Sequence, residues 1–315
     1  MNIVFSEILG FIILVMIGII GSRSGVITSD AKDLIAKVIF NITLPLMLLC
    51  NFSKLDITPR LIYNSVAVIV LALFTLLLMY LMGWLISRFV RMKKEEITIF
   101  KVHCVFGNLV YLGFPIIAAL YKAEGLLYAG MFQLVSNMLL WTIGVVILNQ
   151  GNNLTFLRKL KYIFNINTIA VLIGFLMFLL SLKLPPVLLN PLNGLGDSTV
   201  YLSMLYIGST VFYSKLREFL YNKEVYVLTL YKLIIGPAII LAIFSLLNRL
   251  LPGRFDPVVV STLMVMVSMP AMANVVIMAR NFGADDKLAA ANVFVSTLVS
   301  LITLPLILLL MDLVL

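Results

Sequence analysis

Charged residues, histidine and cysteine are all scarce in this chain. Asp, Glu, Lys and Arg together make up 12% of the 315 residues, and there are two cysteines and one histidine, His103. Cys50 and Cys104 lie far apart, so with a single histidine they cannot form the usual zinc site, and no HExxH, GxSxG, CxxC or Walker-type phosphate loop occurs. These absences argue against an enzyme, and they predict neither a cofactor nor a bound metal.

Long apolar segments dominate the sequence instead. Hydrophobic residues make up 62% of the chain and the mean hydropathy is +1.13, which is typical of an integral membrane protein and far from the composition of a soluble domain. The net charge of +9 would favour nucleic acid as the partner of a soluble chain. Here the basic residues lie in short loops between apolar segments, so the lipid bilayer is the predicted partner and nucleic acid is not.

Ten segments are apolar and long enough to cross a hydrocarbon core of about 30 Å, which requires about 20 helical residues. They are Ile3–Ser22, Ala31–Asn51, Leu61–Ser87, Ile97–Tyr121, Gly125–Asn149, Asn165–Lys183, Gly194–Ser214, Val225–Leu247, Pro257–Phe282 and Leu288–Met311. The predicted fold class is therefore an all-α integral membrane protein with ten transmembrane helices.

An internal repeat relates the two halves of the chain. Adding 163 to the residue number carries the first predicted span onto the sixth, and Gly107 onto Pro270. Because each half holds five spans, an odd number, the second half must enter the membrane from the opposite side. We therefore predict a 5+5 inverted repeat, with the first repeat at residues 1–151, a short cytoplasmic linker at 152–164 and the second repeat at 165–315.

The fourth and ninth predicted spans are both interrupted near their middle. The fourth contains Gly107 and Asn108, and the ninth contains Pro270 and Asn274. Proline removes a backbone donor and glycine weakens a helix, so N–H and C=O groups should be freed at both places. Non-helical backbone at this depth is tolerated only inside protein or beside a wet cavity. Two broken, crossing helices in corresponding halves are typical of a transporter site.

The N-terminus of a helix carries a partial positive charge of about half a unit, so half-helices that begin after the two breaks predict a site for a small organic anion. The predicted substrate-binding residues lie at the breaks and on walls from the second and seventh spans: Asn108, Gly107, Pro270, Ala271, Asn274, Asn41, Thr43, Pro45 and Tyr206. Ala271 offers only its backbone. For the asparagines and the wall residues, packing between helices is the alternative role.

Three ionisable residues inside or near predicted spans are candidates for a coupling site: Glu7, His103 and Lys232. Ionisable groups at membrane depth are functional candidates by default, and the coupling ion would be a proton or sodium. Each also has a structural alternative. Glu7 can lie at the interface, His103 can be a packed neutral imidazole, and Lys232 can extend its ammonium group to the membrane surface.

The motifs at these positions resemble a known family. The motifs are Gly107-Asn108 followed by Leu112-Gly113-Phe114-Pro115, and also Leu44-Pro45-Leu46, Met269-Pro270 and Thr303-Leu304-Pro305. They are similar to motifs of the auxin efflux carrier family. That family comprises plant auxin exporters and bacterial permeases for malate, malonate and related carboxylates. The resemblance extends over essentially the whole chain.

The resemblance implies a ten-helix inverted-repeat fold related to bile-acid transporters and sodium/proton antiporters. It also implies a scaffold part and a transport part that contains the crossed helices and moves like an elevator. In plant members the substrate carboxylate sits against the crossover near an asparagine that matches Asn108. The expected function is thus secondary transport of a small organic anion, a carboxylate in particular, and a homodimer is left open.

Three departures from the plant pattern argue against auxin as the substrate. The crossover residue of the fourth span is Gly107 rather than proline, and the long cytoplasmic loop is reduced to residues 150–164. The third span, at Tyr63-Asn64-Ser65, lacks the Asp and Lys of plant members.

Two other functions are compatible with the same architecture. A cation-coupled exchanger or symporter is the first, but such sites usually place Asp or Glu beside the crossover, and neither occurs at residues 107–115 or 261–279. A non-transporting membrane sensor is the second, and it would be expected to carry a soluble output domain.

The distribution of basic residues predicts the orientation in the plasma membrane, which is the inner membrane of a bacterial cell. Fourteen Lys and Arg residues lie in the loops that follow odd-numbered spans, and six lie in the loops on the other side. The positive-inside rule therefore places both termini outside the cytoplasm. A reporter enzyme that is active only in the cytoplasm, fused after Leu315, should be inactive, whereas the same reporter inserted after Lys93 should be active. Activity of the Leu315 fusion would contradict both the topology and the inverted repeat.

Overall fold

Every regular element in the described part of the chain is a helix. The computed structural model describes residues 3–90, 92–148, 163–213, 222–251, 253 and 255–314. The helices are α1 Ile3–Arg23, α2 Ser29–Lys54, α3 Pro59–Phe89, α4 Lys94–Val105, α5 at residues 109–121, α6 at residues 123–148, α7 Ile166–Leu179, α8 Pro186–Tyr213, α9 Lys223–Leu250, α10 Pro257–Val267, α11 Asn274–Phe282 and α12 Asp286–Val314. Helices α5 and α6 are divided at Lys122, whose φ of 51° and ψ of −143° are not helical.

Five helical runs are long and apolar enough to cross a membrane: Ser29–Lys54, Pro59–Phe89, Leu109–Leu148, Lys223–Leu250 and Asp286–Met311. Shorter apolar helices occur at Leu9–Arg23, Ile166–Leu179 and Pro257–Val267. The prediction of an all-helical membrane protein is thus confirmed, while the count of ten spans stays a prediction. One boundary was misplaced, because the helix predicted from Gly194 begins at Pro186 and continues through Pro191.

Three prolines within the helical runs follow a widened helical turn. A π-helical turn occurs at Ile39–Thr43, Leu109–Gly113 and Tyr231–Ile235, and each is followed two residues later by a proline: Pro45, Pro115 and Pro237. A proline lacks the N–H group and clashes with the carbonyl four residues earlier, and in each case that carbonyl belongs to the π turn. Wider turns of this kind are typical local responses to such an interruption.

The helices pack as two groups. One group consists of α1, α2, α7 and α8, where α1 packs along α8 and α2 packs against both α7 and α8. The other consists of α3–α6 and α9–α12, where α3 packs on α4 and on the α5–α6 run, and α12 packs on α9 and α11. We call these the first and second bundles.

Glycines allow α1 and α8 to approach closely. A Cβ atom at Gly208 would overlap the Val15 carbonyl oxygen, and one at Gly18 would lie against the Leu205 carbonyl. Small residues of this kind let membrane helices bring their backbones into contact, where dispersion forces hold them together. The first bundle is therefore tight at its α1–α8 interface.

The two breaks cross each other in the second bundle. The first break lies between Val105 and Leu109, and the second lies between Val267 and Asn274. Gly107 and Ala271 form an isolated antiparallel bridge. In this bridge the Asn108 N–H donates to the Pro270 carbonyl at 2.8 Å, and the Met272 N–H donates to the Phe106 carbonyl at 3.2 Å.

This pairing corrects one expectation from the sequence. The helical ladder is interrupted at both predicted places, but several of the freed backbone groups bond to each other rather than remaining open. Glycine is required at position 107, because a Cβ atom there would lie 2.9 Å from the Met269 Cβ atom and 3.1 Å from its carbonyl oxygen. The absence of a side chain therefore lets the two breaks meet backbone to backbone.

A polar cluster joins three helices of the second bundle at the end that is predicted to be extracytoplasmic. Asp256 forms an ion pair with Arg60 at 2.6 Å and accepts a hydrogen bond from Asn64 at 2.8 Å. Asn64 also donates to the Tyr128 hydroxyl, which donates to Glu124. Partial burial opposes ionisation of Asp256, but the hydrogen bonds from Arg60, Val258 N–H and Asn64 outweigh it and hold the pKa of this carboxyl below its ordinary value.

Replacing Gly208 with alanine should destabilise the first bundle. The added methyl group would separate α1 from α8, and overpacking of this kind typically costs about 1–3 kcal/mol. Gly194→Ala is the matched control on the same helix, since a Cβ atom there meets nothing within 4 Å. Thermal melting of the purified protein in detergent should show a lower Tm for Gly208→Ala only. Equal melting of the two variants would mean that the α1–α8 contact contributes little to stability.

Candidate functional site

A small cleft lies beside the crossing of the two breaks. We call it the crossover cleft, and it is lined by Asn108, Leu109, Val110, Tyr111, Met272, Ala273 and Asn274. Its empty volume is about 190 Å³, including the open space at its mouth. Helices α5 and α11 both begin at this cleft, so two helix N-termini contribute partial positive charge to it.

Asn108 is the best placed of the predicted binding residues. It is the N-cap of α5, where its side-chain Oδ1 accepts a hydrogen bond from the Tyr111 N–H at 3.3 Å. The residue is 6% exposed, and within the described ranges its amide Nδ2 has no acceptor. The side chain therefore holds the start of α5 with its oxygen and keeps its nitrogen available as a donor.

Asn274 lines the cleft from the other break. It is the first residue of α11 and is half-buried. No hydrogen bond of its side-chain amide is found among the described residues. The cleft thus presents two asparagine side chains, one from each half of the chain, next to two helix N-termini.

The other predicted residues of the breaks form the crossing rather than the cleft. Gly107 and Ala271 pair with each other, and the Pro270 carbonyl accepts from Asn108. Ala271 was expected to offer its backbone to a ligand, but its N–H donates to Ser296 Oγ of α12 at 3.0 Å. These three residues fix the geometry of the site without lining it.

An aromatic pair connects the cleft to the first bundle. The ring of Tyr206 on α8 lies against the ring of Tyr111, with centroids 4.7 Å apart and an interplanar angle of 42°. Tyr206 was predicted as a wall residue, whereas Tyr111 was not selected, although it lies three residues after Asn108. Residues at this spacing are neighbours at a helix start, and that spacing was the signal available in the sequence.

The predicted wall residues of the second span do not line the cleft. Asn41 is exposed, and its side chain donates to the Lys37 carbonyl of its own helix at 2.9 Å. Thr43 and Pro45 are buried, in a part of α2 that packs on α7 and α8. The carbonyl of Phe40, in the same π turn, accepts a hydrogen bond from Asn167 of α7 at 3.1 Å. In this conformation the second span therefore packs on α7, α8 and the α5–α6 run without lining the cleft.

The coupling candidates lie in different places. Glu7 is half-buried on α1, which belongs to the first bundle. Lys232 is 1% exposed, and its Nζ donates to the carbonyls of Cys104 and Val105 at 3.1 Å each. Those are the last carbonyls of α4 before the break, so this lysine caps the helix and complements its negative end.

His103 belongs to a buried polar cluster that sequence reasoning did not find. The side-chain Nδ2 of Asn292 on α12 donates to Glu224 Oε1 at 3.1 Å. The same Nδ2 lies 3.4 Å from His103 Nδ1. Glu224 was not among the candidates, although it lies just before the predicted start of the eighth span at Val225. In the structure it lies in the first turn of α9 and is 3% exposed. We call these three residues the buried triad.

The chemistry of the crossover cleft suits an anion. None of the seven described residues that line it carries a charge, while amide donors and helix N-termini both favour a carboxylate. In this conformation the cleft is far too small to enclose a small molecule. The cleft would therefore have to widen, by movement of the second bundle against α8, to enclose a ligand.

Comparison with known proteins identifies the family. The sequence profile of the family described as "Membrane transport protein" matches this chain twice, over residues 3–155 and over residues 152–308. An uncharacterized transporter from Methanocaldococcus jannaschii is 22% identical over 303 residues, which cover 94% of each chain. An uncharacterized transporter from Methanothermobacter thermautotrophicus is 21% identical over 301 residues, which cover 95% of each chain.

These matches extend over nearly the whole chain and agree with the resemblance carried by the motifs at the breaks. The chain therefore belongs to the membrane transport protein family of the auxin efflux carrier type, and it is a multi-pass integral membrane transporter.

Proposed function

We propose that this protein is a secondary transporter that moves small organic anions, carboxylates in particular, across the plasma membrane. The observation that carries this proposal is the crossover cleft, where two helix N-termini meet the side chains of Asn108 and Asn274. Charge-assisted hydrogen bonds from such donors to a carboxylate are the strong class of hydrogen bond. A carboxylate can thus be held without a fixed cation, which favours its release after transport.

The same cleft argues against the cation-coupled exchanger as the principal alternative. A cation site at the crossover would need carboxylates or several free carbonyl oxygens, and the described lining contains no Asp or Glu. The Pro270 and Phe106 carbonyls, which could have served, are used by the bridge between the breaks. The cleft is therefore rich in donors and poor in acceptors.

The proposed architecture is a ten-span inverted repeat with halves at residues 1–151 and 165–315, joined by the linker at 152–164. Two observations support it. The family profile matches each half of the chain separately, and the breaks pair at Gly107 and Ala271, within one residue of the pairing that the offset of 163 predicts. Under this proposal both termini are extracytoplasmic.

The proposed motion is an elevator movement of the second bundle against the first. The breaks, the cleft and the buried triad all belong to the second bundle, whereas Tyr206 belongs to the first. The Tyr111–Tyr206 contact therefore crosses the boundary between the two groups at the cleft. Sliding along this boundary would carry a bound anion across the membrane and open the cleft to each side in turn.

The function can be tested by reconstitution. Purified protein in proteoliposomes should catalyse counterflow of at least one radiolabelled compound from a panel of mono- and dicarboxylates, with malate and malonate included. Proton or sodium gradients imposed in separate arms would identify the driving ion. Transport of cations with no response to any carboxylate would favour the exchanger instead, and no flux of any kind would favour the sensor.

Substitutions at Asn108 should separate its two roles. Asn108→Ala removes both the Nδ2 donor and the oxygen that caps α5, whereas Asn108→Asp keeps a capping oxygen and replaces the donor with a negative charge. A hydrogen bond to a charged partner contributes about 1.5–3 kcal/mol, so binding of the transported carboxylate should weaken about tenfold to hundredfold in Asn108→Ala. Asn108→Asp should be weaker still, because it repels the anion, while its melting temperature stays near that of the unmodified protein.

The matched control is Asn41→Ala, which removes an exposed asparagine outside the cleft and should leave counterflow unchanged. Substrate affinity is read from counterflow, and folding is read from thermal melting. If both Asn108 variants bind normally and only the alanine variant melts lower, Asn108 is a helix cap alone, and the helix N-termini hold the carboxylate without it.

A further inference from the structure

The buried triad of His103, Glu224 and Asn292 has more polar atoms than hydrogen bonds. His103 and Asn292 are 0% exposed and Glu224 is 3% exposed. Glu224 Oε1 is bonded to Asn292, but Glu224 Oε2, Asn292 Oδ1 and His103 Nε2 are buried without a partner in the described part of the chain. Three such atoms in one cluster are unusual, since buried polar atoms in folded proteins are nearly always paired.

An ionised Glu224 would be costly in this environment. A buried carboxylate needs a cation or several donors, and among the described residues the Asn292 amide is the one donor to the Glu224 side chain. Lys232, on the same helix, directs its ammonium group to the Cys104 and Val105 carbonyls instead. The other carboxylates that act on Glu224, Glu96 of α4 and Asp285 before α12, are repulsive. A bound proton would relieve all of these costs.

The triad is connected to the crossing of the breaks by hydrogen bonds. The Asn292 carbonyl accepts from Ser296 Oγ at 2.6 Å, and Ser296 Oγ accepts from the Ala271 N–H at 3.0 Å. Ala271 is the residue that pairs with Gly107. On the other side, His103 lies three residues before Phe106, at the first break. A change of charge in the triad would therefore affect α4, which ends at the first break, and α12, whose Ser296 bonds to the second break.

We propose that the buried triad is the proton-binding site that couples proton movement to anion transport in this protein. One proton binds to Glu224 Oε2 and converts the carboxylate into a carboxylic acid, and the same O–H bond breaks when the proton leaves to water. Asn292 Nδ2 remains hydrogen-bonded to Oε1 in both states. His103, with Nδ1 facing the Asn292 amide, holds its ring proton on Nε2 and faces the site as a neutral partner.

The geometry favours a proton over sodium. Two unpartnered oxygens, Glu224 Oε2 and Asn292 Oδ1, are too few to replace the hydration shell of a metal ion, and the third unpartnered atom is an imidazole nitrogen. Imidazole suits protons and transition metals rather than hard cations. The proposal deepens the proposed function, because it names the coupling ion of the same transporter.

A protonated carboxyl can be detected without any substrate. Infrared difference spectra of the reconstituted protein, recorded while the pH is changed, should show a carboxylic acid C=O band that shifts in D₂O. The band should be absent in Glu224→Gln, retained at an altered frequency in Glu224→Asp, and unchanged in the control Glu7→Gln, which removes a carboxylate of α1 in the first bundle. If the unmodified protein shows no such band, or if Glu7→Gln removes it, the proposal is wrong.

Radiolabelled malate serves as the transport probe. With the membrane potential held at zero, symport of one proton with each anion gives about tenfold accumulation per pH unit of imposed gradient, since a factor of ten corresponds to one pH unit. Glu224→Gln should lose this accumulation but retain malate counterflow at equal pH. Accumulation that survives in Glu224→Gln, or that follows a sodium gradient instead, would overturn the proposal. Absence of malate counterflow in the unmodified protein would count against the proposed function for malate, and the infrared bands would still decide whether the triad binds a proton.

Discussion

The structure depends on one constraint, which is that backbone polar groups inside an apolar environment must find partners within the protein. A broken helix at membrane depth exposes such groups, and here two breaks meet and satisfy part of each other's need. The Asn108 N–H bonds to the Pro270 carbonyl, and the Met272 N–H bonds to the Phe106 carbonyl. Lipid could satisfy neither. Each break is therefore stabilised by the other, and these two backbone hydrogen bonds connect the two halves of the chain.

The crossing has different chemistry on its two sides. On one side, α5 and α11 begin, and their N-termini with Asn108 and Asn274 form a cleft rich in donors. On the other side, α4 ends, and Lys232 caps its last carbonyls while His103, Glu224 and Asn292 fill the space between α4, α9 and α12. Ser296 connects the two sides through the Ala271 N–H. The proposed anion site and the proposed proton site are thus joined by a short path of hydrogen bonds.

Several features could be predicted from the sequence because they depend on local chemistry. Long apolar segments require a bilayer, and Gly107, Pro270 and their neighbours cannot sustain a helical ladder, so both breaks were found at the right residues. Other features failed for tertiary reasons. Asn41, Thr43 and Pro45 were predicted to face the site, but Asn41 is exposed and bonds to its own helix. Thr43 and Pro45 are buried where α2 packs on α7 and α8. Glu224, one residue before the predicted start of the eighth span, was not selected as a candidate, whereas in the folded chain Asn292 of α12 bonds to it.

The amino-acid pattern alone identifies an integral membrane protein, its family and the positions at which two of its helices break. Apolar length, glycine and proline act over a few residues, and their effects can be read without knowing the fold. The folded chain shows in addition which freed backbone groups pair with each other, which asparagines line the cleft and which carboxylate is buried. Those outcomes depend on contacts between residues such as Gly107 and Ala271, or Glu224 and Asn292, that lie far apart along the chain. Their partners are selected by packing in three dimensions, for which a single sequence carries no local signal.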